Sequence, residues 1–226
     1  MPKLQGLIFD LDGTLIDSAP DLRQALNHLL KNHGRRELTI NEVKKMTGDG
    51  LLAMMERAFL ATDGGQRTKI DSFALYQQFI GHYRGIKPDP AQIYPQARET
   101  LELFSTAKVK LGICTNKQEA STRRLLEQLE LHSYFSFIAG GDTFPVHKPH
   151  PDHIRGVIEN LGIEAGRCVM VGDGSNDVIA AQGAGIPCIV VAHGYGNGIE
   201  GLGADKIISG FDKLPQALNE LGFQLI

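Results

Sequence analysis

The stretch Leu4-Gln5-Gly6-Leu7-Ile8-Phe9-Asp10-Leu11-Asp12-Gly13-Thr14 decides the fold. It begins as a short, nearly continuous apolar run, the pattern of a strand buried on both faces of a parallel sheet. It ends abruptly in two aspartates and a glycine. In parallel sheets ligands gather at the carboxyl ends of strands, so Asp10 and Asp12 can face a crevice once the chain turns, and Gly13 permits a tight turn. An ordinary turn after a strand is also rich in Asp and Gly, and these residues alone do not separate the two readings.

Working outward, similar runs recur at Val109–Cys114, Phe137–Ala139, Cys168–Val171, Cys188–Val191 and Lys206–Ile208. Helical spacing lies between them. Ile154, Val157, Ile158 and Leu161 share one face, and Gly162 supplies a stop. Pro95 precedes Ala97, Leu101 and Phe104 in a second helix, and Leu125, Leu126 and Leu129 mark a third. The alternation predicts an α/β fold, a doubly wound, Rossmann-like parallel sheet with right-handed crossovers.

Between Ser18 and about Arg84 only helical patterns occur. Ser18 and Asp21 form a capping-box-like start to a helix with the stripe Leu22, Ala25, Leu26, Leu29 and Leu30. Further helices are expected at Asn41–Met46, Leu51–Leu60 and Ser72–Tyr83. Gly85-Ile86-Lys87-Pro88-Asp89-Pro90 reads as a linker, since two prolines and a glycine discourage regular structure. The expected organisation is a core domain of residues 1–17 and 86–226, with a small all-helical domain, 18–85, inserted after the first strand.

The 226 residues are 42% hydrophobic and 22% charged, with a net charge of −3. This is a globular composition without the basic cluster that nucleic acid requires. No apolar run approaches the roughly 18 residues of a membrane span, and no secretory leader is read at the N-terminus. Cys114, Cys168 and Cys188 sit in strand-like runs without CxxC or Cys/His spacing, as buried thiols in a reducing compartment do. The expected location is the cytoplasm, with neither nucleic acid nor membrane as partner.

Three more strand ends carry polar chemistry. Thr115, Asn116 and Lys117 follow one run, with a hydroxyl and N–H groups suited to phosphate oxygens. Lys148 lies in the proline-flanked segment Val146-His147-Lys148-Pro149-His150-Pro151, where a point cation would suit a phosphoryl group. Gly172-Asp173-Gly174-Ser175-Asn176-Asp177 ends another run in two acids, the oxygen chemistry that Mg2+ prefers. Asp177 is equally suited to stabilising the start of a helix. His147 and His150 flank Lys148 without forming a ligand cluster.

In this order the four segments resemble the motifs of the haloacid dehalogenase superfamily: Asp10-Leu11-Asp12-Gly13-Thr14, Thr115, Lys148, and Gly172-Asp173 with Asp177. The resemblance covers essentially the whole chain. It implies a Mg2+-dependent phosphatase in which Asp10 attacks phosphorus and Asp12 is the general acid and base. It further implies that Thr115, Asn116 and Lys148 hold the phosphoryl group, and that Asp10, the backbone carbonyl of Asp12, and Asp173 hold the metal. Gly13 and Asp177 support the site. Dehalogenases of this superfamily lack an acid at the position of Asp12, because a halide leaving group needs no proton.

The helical insert resembles a cap domain that closes over such a site. Asp17-Ser18-Ala19-Pro20-Asp21-Leu22, Thr47-Gly48-Asp49-Gly50 and His193-Gly194-Tyr195-Gly196 are similar to phosphoglycolate phosphatases. The implied substrate is a small phosphorylated metabolite, 2-phosphoglycolate foremost, acted on by a monomer or homodimer. A phosphatase for a sugar phosphate, pyrophosphate or nucleotide, a β-phosphoglucomutase-like mutase, and a non-catalytic phosphate-binding protein are the other readings. A substrate carboxylate calls for a cation or N–H donors. Arg23, Lys44, Lys45, Arg57 and the loop Gly48, Asp49 and Gly50 are the cap residues that could supply them.

Overall fold

The computed structural model describes residues 2–63, 71–196 and 198–224. Six strands form one sheet: β1 (Gly6–Phe9), β2 (Lys110–Cys114), β3 (Phe137–Ala139), β4 (Cys168–Gly172), β5 (Cys188–Val191) and β6 (Lys206–Ile208). Their order is β3-β2-β1-β4-β5-β6, and every neighbouring pair is parallel. The chain leaves β1 toward one edge, then returns to its other side at β4. The end of β1 is therefore the point where the winding reverses, and there a crevice opens between neighbouring strands.

Side-chain alternation explains the unbroken apolar runs. Leu7, Phe9, Val169, Val171, Ile189 and Val191 share one buried cluster. Ile8, Met170, Cys188 and Val190 belong to a second. Successive residues point to opposite faces, and helices cover both. Helices α5 (Ala97–Thr106), α6 (Glu119–Gln128) and α9 (Leu214–Glu220) contribute Leu101, Phe104, Leu125, Leu126 and Leu218 to the first cluster. Helices α7 (Pro151–Leu161) and α8 (Ser175–Ala184) contribute Ile154, Val157, Val178 and Ala181 to the second. The three cysteines are free and buried, and all lie on that second face.

Helices α1 (Ala19–Asn32), α2 (Ile40–Met46), α3 (Leu51–Ala61) and α4 (Ser72–Tyr83) surround a separate apolar cluster that includes Leu22, Leu26, Val43, Met55, Phe59 and Phe79. Two chain crossings join them to the sheet side by side, where Asp17 N donates to Gln92 O at 2.7 Å and Tyr94 N to Leu15 O at 3.0 Å. The start of α1 differs from the sequence expectation. Ser18 makes no side-chain cap, and its Oγ donates instead to Asp12 Oδ1 at 2.5 Å. The hydroxyl proton goes to a carboxylate, a charge-assisted bond stronger than a neutral one. The capping box occurs one helix later, between Thr39 and Glu42 at the start of α2.

Among the described residues, no helix is long and apolar enough to cross a membrane.

Candidate active site

Asp10 follows β1 directly, and its N–H donates to Val171 O of β4 at 2.9 Å. Parallel pairing of β1 with β2 and β4 brings Thr115 and Asp173 to the same edge of the sheet. Gly13 makes the turn with φ +90°. A Cβ there would meet Asp173 Oδ2 at 2.5 Å, so both backbone conformation and space require glycine.

Lys148 reaches this edge from the loop before α7. Its ammonium is buried, 3.1 Å from Asp10 Oδ1 and 2.5 Å from Asp177 Oδ1. The other oxygen of Asp177 accepts the backbone N–H groups of Asp173 and Gly174, each at 3.1 Å. Asp177 thus starts α8, as one of its two sequence readings has it, and holds Lys148 at once. His153, buried in α7, accepts from Lys148 N through Nδ1 at 3.1 Å, and its Nε2 lies 3.1 Å from Gly140 O. That pairing suits a neutral ring with the proton on Nε2. Burial, with the charge of Lys148 added, pushes the His153 pKa down to about 4.

Asp10, Asp173 and Asp177 each offer an oxygen within 4.8 Å of the others'. Asp173 is held by Thr14 Oγ1 at 3.3 Å and by Tyr195 N at 2.6 Å. Burial raises the pKa of Asp10 to about 6, against the opposing pull of Lys148, with Asp177 adding repulsion. Burial, then the charges of Asp177 and Asp10, raise that of Asp173 to about 8. Lys148 stays protonated, because the two acids outweigh the cost of burying it. One ammonium among three carboxylates leaves negative charge uncompensated. Asp10 Oδ1 is also buried without an aligned hydrogen bond. An all-oxygen donor set of this charge fits a hard divalent cation. The carboxylate of Asp12 is not in that cluster.

Asp12 is engaged elsewhere. Lys117 Nζ lies 3.1 Å from its Oδ1 and 3.2 Å from its Oδ2. In the sequence Lys117 is one more lysine after a strand, and a single lysine is usually solvated. Here its side chain is only 8% exposed. Its signal was position: it stands two residues past Thr115, at a strand end already singled out.

Thr115 is buried at the end of β2, and its Oγ1 accepts from Lys117 N at 3.3 Å. The amide of Asn116 donates to Gly48 O at 2.9 Å and Lys148 O at 2.8 Å. Asn176 of α8 reaches the same loop, donating to Gly48 O at 3.2 Å and Asp49 Oδ1 at 2.7 Å. The Gly48–Gly50 loop therefore sits against the acid site. A cavity of about 60 Å³ lies beneath it, between Asp10, Asp12 and Thr115 and the apolar residues Leu22, Met54 and Phe79.

The cations of the helical insert are largely committed. Arg57 pairs with Asp49, and Lys44 pairs with Asp17 at 3.1 Å. Lys45 is exposed beside Lys44, and Arg23 is exposed on a different face of α1. His147 and His150 are exposed, and His150 caps α7 by accepting from Asp152 N. Tyr195 links several parts: besides holding Asp173, its hydroxyl donates to Asp17 Oδ1 at 2.7 Å and accepts from Ala19 N at 3.0 Å.

A parallel sheet whose strand ends gather carboxylates around a buried lysine, under a helical insert, defines a hydrolase of the phosphatase class. The chain belongs to the haloacid dehalogenase-like hydrolase family, whose model matches residues 7–191. It is 41% identical to the phosphoglycolate phosphatase of Agrobacterium fabrum over 94% of this chain and 91% of that protein. The phosphoglycolate phosphatase of Rhodospirillum rubrum is 38% identical over 95% of this chain and 90% of its own. In three dimensions the chain is similar to a predicted phosphoglycolate phosphatase from Haemophilus somnus 129pt, with a TM-score of 0.90, 28% identity, and 96% and 98% of the two chains covered.

Proposed function

We propose that the chain is a Mg2+-dependent phosphomonoesterase that works through an aspartyl-phosphate on Asp10, with 2-phosphoglycolate as its substrate. The observation that carries this reading is the placement of Asp10 beside a buried, protonated Lys148, at the edge where Asp173 and Thr115 also end.

Asp10 attacks phosphorus as the ester P–O bond breaks, and Asp12 gives its proton to the departing alkoxide. Asp12, now a carboxylate, takes a proton from water. That water attacks the phosphorus of the aspartyl-phosphate, releasing inorganic phosphate and restoring Asp10. Thr115 and Lys148 hold the phosphoryl oxygens, where charge spreads in the transition state. The side-chain amide of Asn116 is committed to the Gly48 and Lys148 carbonyls, so its backbone N–H is the group proposed for phosphate. Asp10, Asp173 and the Asp12 carbonyl would hold Mg2+, with Asp177 beside them. Bound there, Mg2+ supplies positive charge that offsets repulsion between the acids and the phosphate dianion.

Residues 18–85 are proposed to act as a cap domain, with Gly48, Asp49 and Gly50 facing the substrate. Closure would exclude water from the first step. The names of the relatives support 2-phosphoglycolate, and a cytoplasmic location suits three buried free thiols.

The test is phosphate release from 2-phosphoglycolate, sugar phosphates, pyrophosphate and nucleotides, with and without Mg2+. Mg2+-dependent turnover favouring 2-phosphoglycolate is expected. Preference for another ester would move the substrate and keep the chemistry. A bisphosphate requirement with a long-lived phosphoenzyme would point to a mutase. Metal-dependent phosphate binding without turnover would point to a non-catalytic binding protein.

A further inference from the structure

We infer that Lys117 is the specificity-determining cation of this site, and that it reads a carboxylate carried next to the ester oxygen of the substrate. The inference rests on the phosphatase reading above and deepens it.

Lys117 is the one cation among the described residues that line the cavity beneath the Gly48–Gly50 loop; a second, roomier cavity that also borders Asp10 and Asp12 is lined by Lys44, Lys45, Arg57 and Lys148. The wall opposite Lys117 is apolar, and the ring of Tyr83 lies 5.1 Å from the ammonium. Asp12 takes at most two of its three N–H donors, through contacts of 3.1 and 3.2 Å. The third lies with the neutral side chain of Tyr83, a partner that an incoming carboxylate would displace. Of the cations of the second cavity, Lys148 pairs with Asp10 and Asp177, Lys44 with Asp17 and Arg57 with Asp49, and Lys45 is exposed.

A phosphate dianion with a second carboxylate brings its charge into a cavity that already holds two acids. The phosphoryl end meets Lys148. The second anion needs its own positive partner, because an unpaired buried charge is costly. Asp12 is the group that meets the leaving oxygen, and Lys117 touches Asp12. A carboxylate one carbon from that oxygen therefore falls within reach of Lys117. An ester of the same size whose second group is uncharged makes no such pair.

The experiment compares kcat/KM for 2-phosphoglycolate and 2-hydroxyethyl phosphate in the wild type, Lys117→Met, Lys117→Arg and Lys45→Met. The wild type should favour the carboxylate ester by about 10–100-fold, the usual size of a charge-assisted recognition contact. Lys117→Met should bring that ratio near one, and Lys45→Met should leave it in place. Calorimetry in an Asp10→Asn background should show the same loss of 2-phosphoglycolate binding when Lys117→Met is added. If Lys117→Met does not fold, Lys117→Arg decides. Its bulkier, planar head should cut the ratio at least about threefold, and an unchanged ratio overturns the inference. Equal loss for both esters in Lys117→Met also overturns it, as does a collapse of the ratio in Lys45→Met. A wild type that turns over both esters equally overturns it and leaves the phosphatase reading standing. A wild type that turns over neither overturns both.

Discussion

The ammonium of Lys148 lies 3.1 Å from the carboxylate of Asp10, and that lysine side chain is 1% exposed. Water does not screen this pair, so its partners depend on each other. Lys148→Met should leave Asp10 and Asp177 without their cation. Removing one partner of a buried ion pair costs about 3–5 kcal/mol. Denaturant unfolding should show that loss, and unchanged stability would mean the acids find another counterion.

Asp10→Asn should keep the fold and lose turnover. Amide and carboxylate are nearly the same size, and Asn is a far weaker nucleophile. Phosphate release should fall at least about 1,000-fold for every ester, as expected when a nucleophile is removed. Trapping with acid should recover phosphorylated wild type and no phosphorylated variant. A variant that retains activity would move the nucleophile away from Asp10.

Metal and pH should act together on stability. Burial lifts Asp10 from 3.8 to about 6 and Asp173 from 3.8 to about 8. The folded state then binds more protons than the unfolded state between these values. The stability linked to them is present below about pH 4 and is lost as pH rises through 6 and 8. Without metal, unfolding midpoints for wild type relative to Asp173→Asn should fall between pH 5 and 8. Saturating Mg2+ should reverse that trend, stabilising by about 2.7 kcal/mol at 100 times its Kd. A Mg2+ effect that does not grow with pH would argue against binding at these acids.

Asn176→Ala should act on substrate capture. Its amide joins α8 to Gly48 O and Asp49 Oδ1 at 3.2 and 2.7 Å. Losing these bonds is worth about 1 kcal/mol, so KM should rise about threefold to tenfold while the unfolding midpoint barely moves. An unchanged KM would show that the Gly48–Gly50 loop does not hold the substrate.

Much of the fold was legible because local pattern and tertiary role coincide. A strand buried on both faces must be apolar throughout, and β3, β5 and β6 match the apolar runs residue for residue. Helix α4 matches its periodic stretch, and Gly162 stops α7 in the left-handed conformation with φ 59°. The beginning of α1 was not legible. A cap would have Ser18 accept from a backbone N–H of its own helix, whereas its hydroxyl donates to Asp12, which becomes a neighbour only when the turn after β1 folds back.

The sequence by itself determined the strands, the helical insert and the residues that end each strand in acid, hydroxyl or lysine, since these follow from periodicity and residue chemistry along the chain. Tertiary structure alone decided the partners. Lys117 was one more strand-end lysine until folding set it against Asp12, 105 positions away. Tyr195 was a residue in a glycine-flanked loop until its N–H met Asp173 and its hydroxyl met Asp17, 178 positions away. Charge pairing and burial depend on distances through space, and those exist only once the sheet has brought its strand ends together.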